Sequence, residues 1–62
     1  MIKDRKGNRI HLGSKVLWYD PEEDARDLSR VWTVDELDEE IVFISDDFSE
    51  AEVYPNELEV VE

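Results

Sequence analysis

The run from Ile41 to Val61 is the strongest constraint on how this 62-residue chain can fold. Ile41-Val42-Phe43-Ile44-Ser45 is dense in β-branched and aromatic residues and reads as a strand. Asp46-Asp47-Phe48-Ser49 reads as a tight turn, and Glu50-Ala51-Glu52-Val53-Tyr54 as the returning strand. Pro55 removes a ladder donor and presets φ for a single turn over Pro55-Asn56-Glu57-Leu58. A short closing strand follows to Val61. Alternation puts Ala51 and Val53 on an inner face with Val42 and Ile44, and turns Ile41, Phe43, Glu50, Glu52 and Tyr54 outward. Phe43 and Tyr54 are expected to form a cross-strand aromatic pair on that outer face.

The preceding residues add further short elements. Asp4 to Ile10 reads as a turn or hook around Gly7-Asn8, and Gly13-Ser14 as a second break. Lys15 to Asp20 and Arg30 to Leu37 read as strands, joined by a polar connector over Pro21 to Ser29 in which Asp20 can cap one helical turn. The core expected from these phases is Ile10, Val16, Trp18, Val31, Val34, Val42, Ile44, Val53, Leu58 and Val60. Placing both Val31 and Val34 inside requires a bulge near Trp32-Thr33. Five short strands separated by turn signals predict an all-β fold, a single small barrel over residues 1–62 that closes on itself.

A chain this short buries only about 60% of its unfolded surface. It has no cysteine and one histidine, His11, so disulfides and structural zinc are not expected, and no cofactor is. The charged N-terminus lacks the pattern of a secretory signal, and no apolar run approaches the roughly 20 residues of a membrane span. A cytoplasmic location and no membrane partner are the expectation. The net charge is −11 but unevenly placed. Residues 1–16 carry Lys3, Arg5, Lys6, Arg9 and Lys15 against Asp4 alone, a net +4. The remainder carries Arg26 and Arg30 against 17 acids, a net −15. Self-repulsion of that surface favours a soluble monomer and disfavours wrapping a phosphate backbone.

Gly13-Ser14-Lys15-Val16, the strand holding Val31 and Val34, the hairpin from Ile41 to Tyr54 and the ending Tyr54-Pro55-Asn56-Glu57-Leu58-Glu59-Val60-Val61 together resemble the SH3-like barrel superfamily. With the leading Asp4-Arg5-Lys6-Gly7-Asn8-Arg9-Ile10, the chain resembles small uncharacterised bacterial and prophage proteins of that fold. The resemblance implies a five-stranded barrel with an N-terminal hook and a short helical turn before the last strand. It departs from peptide-binding SH3 domains at two places. Trp32 is not part of an aromatic dipeptide, and Leu58 stands where those domains place a tyrosine.

Neither His11 nor any other residue falls into a catalytic spacing, so an enzyme is not expected. The acidic groups Glu22-Glu23-Asp24 with Asp27, and Asp46-Asp47, lack the glycine and alternation of a calcium loop and read as solvated surface. An interaction module is the expected function, with a protein or peptide partner and a basic one favoured. Tyr19, Trp32, Phe43 and Tyr54 supply outward aromatics in this reading, and Glu50 and Glu52 supply charge. Two alternatives use the charge asymmetry differently. Lys3, Arg5, Lys6, Arg9 and Lys15 form a basic patch for nucleic acid, or the acidic face mimics DNA.

Overall fold

The computed structural model describes residues 1–20 and 30–61. The expected polar connector at residues 21–29, with its helical turn and its acidic group, lies outside the described residues. Five strands form one antiparallel sheet: β1 (Lys15–Trp18), β2 (Trp32–Leu37), β3 (Val42–Ser45), β4 (Glu50–Val53) and β5 (Leu58–Val60). A single 3-10 turn over Pro55–Glu57 precedes β5. The order across the sheet is β4-β3-β2-β1-β5. The chain is therefore all-β, with the last strand returning beside the first. Among the described residues the end strands β4 and β5 pair with β3 and β1 respectively and not with each other.

Residues from every strand meet in one core: Val16, Trp32, Val34, Val42, Ile44, Val53 and Leu58, joined by Ile10 from the N-terminal segment. Trp18 and Val60, expected inside, are half-buried at its margin. Val31 corrects the expected core, since it is 48% exposed. The interior residue of that strand is Trp32, only 5% exposed, and Trp32 with Val34 sets the inward phase of β2. The bulge consequently lies further along. Val34 pairs with Ile44 but Glu36 pairs with Phe43, so Asp35 is the extra residue. The apolar spacing Trp32, Val34, Leu37 explains it. Two steps keep a side chain on the same face, and the three-residue step to Leu37 needs one inserted residue.

The N-terminal segment forms the expected hook. Lys3 and Arg9 are bridged, and Gly7 turns the chain at φ 86°. The hook docks on the outer edge of β5. The Arg5 amide donates to the Leu58 carbonyl at 2.9 Å, and the Val60 amide donates to Asp4 Oδ2 at 2.7 Å. The second break turns at Gly13, φ 85°, where Ser14 Oγ accepts the His11 amide. Gly13 donates to the Val34 carbonyl, and Val34 to Ser14, which carries the pairing of β1 and β2 one step beyond Lys15.

Candidate functional site

Beyond the Asp35 bulge the phase of β2 is inverted, and this inversion builds the outer face of the sheet. Without the bulge, Glu36 would follow Trp32 and Val34 inward. With it, both Asp35 and Glu36 are exposed. Glu36, Phe43 and Glu52 are then directly opposite one another on β2, β3 and β4. A half-buried phenyl ring on the central strand is thus flanked by a carboxylate on each side. Asp35 and Glu50 extend the acidic rim. Asp35, Glu36, Phe43, Glu50, Ala51 and Glu52 line a shallow concavity of about 370 Å³. Adjacent strands are about 4.8 Å apart, so each flanking strand lies about 5 Å from that of Phe43, within the reach of one extended arginine or lysine side chain.

The structure brings three of the expected site residues together, Phe43, Glu50 and Glu52. Tyr54 lies past the end of β4, 57% exposed, with its amide held by Glu57 Oε2 at 2.7 Å. Register places Glu52, not Tyr54, opposite Phe43, so the expected Phe43–Tyr54 pair gives way to an aromatic–carboxylate pair. Tyr19 lies near β5. Its hydroxyl donates to Glu59 Oε1 at 2.6 Å, and the Arg5 guanidinium covers its ring at 3.8 Å from the centroid. Trp32 is a correction. Its ring is a core element packed edge-on against Trp18 at 5.5 Å, with the Arg30 guanidinium above it at 4.4 Å. The inward phase of β2 leaves it no outer surface to offer a partner.

The basic residues do not form an open patch of five. Arg5 is stacked on Tyr19, Lys15 Nζ donates to Thr33 Oγ1 at 2.8 Å, and Lys6 is 4.0 Å from Glu59. Lys3 and Arg9 remain exposed on the hook. Asp46 also departs from the expected solvated surface. Its Oδ1 accepts the amides of Phe48 and Ser49, each at 2.8 Å, and its Oδ2 accepts Arg30 Nε at 2.8 Å and Arg30 Nη2. Desolvation raises its pKa, but the Arg30 hydrogen bond, the two amides and the Arg30 charge prevail and lower it to about 2.

Asp35 and Glu36 are the site residues that the strand reading passes over. Their signal is the irregular apolar spacing that ends at Leu37. No family model matches the chain, and neither a curated protein nor a solved structure does. No helix among the described residues is long and apolar enough to cross a membrane.

Proposed function

We propose that this domain is a non-catalytic interaction module that receives a basic segment of a partner protein on the outer face of β2, β3 and β4. The observation that carries this reading is the row Glu36–Phe43–Glu52, with Asp35 and Glu50 beside it. An arginine or lysine laid across the row rests its apolar stem on the Phe43 ring and brings its charge to a carboxylate on either flank. Each such contact at an exposed site is worth about 0.5–1 kcal/mol, so several must act together to hold a partner. The net charge of −11 adds long-range attraction for a basic ligand. A binding role for the barrel-like fold agrees with the SH3-like resemblance.

The test is titration with a short arginine-rich peptide, followed by amide shifts. Phe43→Ala leaves the charge unchanged and should weaken binding roughly three- to tenfold; Glu50→Gln with Glu52→Gln should weaken it and flatten its salt dependence. A peptide whose shifts map to the hook, or whose affinity is indifferent to Phe43→Ala, would sink the proposal. The nucleic-acid alternative has less support, because Arg5 and Lys15 are already engaged within the fold.

A further inference from the structure

The two ends of the sheet are treated differently. At the β5 end, the outward carbonyl of Leu58 and amide of Val60 are taken up by Arg5 and Asp4 of the hook. At the β4 end nothing among the described residues does the same. The phase of that edge follows from the hairpin. Asp46 donates to the Ser49 carbonyl at 2.9 Å, and hydrogen-bonded pairs alternate along an antiparallel ladder. With Ser45 opposite Glu50, Ile44 opposite Ala51, Phe43 opposite Glu52 and Val42 opposite Val53, Ala51 and Val53 exchange their bonds with β3. The amides and carbonyls of Glu50 and Glu52 therefore point away from the sheet. Their side chains rim the acidic concavity on the same edge.

We infer that β4 accepts an extended basic segment of a partner protein as a further, antiparallel strand. This rests on the proposed acidic binding face and specifies how that face is engaged. The acidic face by itself sets no backbone geometry, but the outward-pointing backbone groups beside it do. In a strand paired antiparallel with β4, residues opposite Glu50 and Glu52 aim their own amides at the edge and their side chains over the carboxylates. Cations are thus required at every second position of the incoming segment, at those residues whose amides are bonded. Charge complementarity selects this occupant over a second copy of the chain, whose β4 would set glutamates against glutamates.

Three capped hexapeptides alternating arginine and threonine test it: one unmodified, one N-methylated at each arginine, one N-methylated at each threonine. All carry the same charge. The unmodified and threonine-methylated peptides should bind alike and slow hydrogen exchange at the Glu50 and Glu52 amides. The arginine-methylated peptide should bind at least tenfold more weakly. Equal binding of the two methylated forms, still sensitive to Phe43→Ala, overturns strand addition and leaves the acidic face standing. Absence of binding by all three overturns both. Protection of the same two amides by rising protein concentration, without peptide, also overturns it, because a second copy then occupies the edge.

Discussion

Asp4 is the lone acid among the cations of the N-terminal stretch, and it is only 6% exposed. Its carboxylate accepts the amides of Lys6, Asn8 and Val60 at 2.9, 2.8 and 2.7 Å, and the Asn8 side-chain amide at 3.4 Å. Burial pushes its pKa up, but the Val60, Asn8 and Lys6 hydrogen bonds more than compensate and hold it below the ordinary 3.8. Because the folded-state value is the lower one, the stabilisation is complete above about pH 4. It is lost as pH falls through the folded-state value. Asp4→Asn should therefore cost about 2 kcal/mol near neutrality, on the order of 10 °C in Tm. Thermal melts should show that gap closing as pH drops below about 4. Asp46 should behave as a second reporter. Its carboxyl resonance is expected to titrate near pH 2, and Arg30→Gln should move that midpoint up toward 3.8.

At the scale of elements, the bulge in β2 decides both the core and the candidate site. Deleting Asp35 leaves Trp32, Val34 and Leu37 at two-residue steps, so a regular strand carries all three inward and Glu36 outward. In the intact sequence a regular strand would instead bury Glu36, and an unpaired buried carboxylate costs several kcal/mol, comparable with the whole stability of a domain this small. The deletion variant is expected to keep a cooperative unfolding transition and a well-dispersed amide spectrum, and loss of either would contradict this account. The hairpin from Ile41 to Tyr54 was legible in the sequence because its alternation is regular: Val42, Ile44 and Val53 are buried as expected. The turn at Pro55 was legible because proline has one reading there. β2 was less legible, because Val31, Trp32 and Val34 offer two apolar phases. Only packing against Trp18 and the rest of the core chooses Trp32. The outer face was half legible. Phe43, Glu50 and Glu52 follow from alternation, whereas Asp35 and Glu36 join them through a displaced bulge. Asp4 was hidden for a different reason, since its partner Val60 lies 56 residues away and no local pattern signals it.

Across the whole molecule, the net charge of −11 is carried on a small surface, and self-repulsion opposes the compact state. Raising salt from 10 to 150 mM shortens the screening length from about 30 to about 8 Å. Tm should consequently rise by several degrees, and a fall would mean that attractive pairs such as Lys6–Glu59 dominate. The hook on β5 has a consequence for what can be assembled from this chain. Filament growth by strand addition needs two open ends per subunit, one to receive and one to offer. Here the hook occupies one end, so among the described residues β4 is the one end left open. Strand addition at β4 alone would therefore stop after one partner instead of propagating into a fibre.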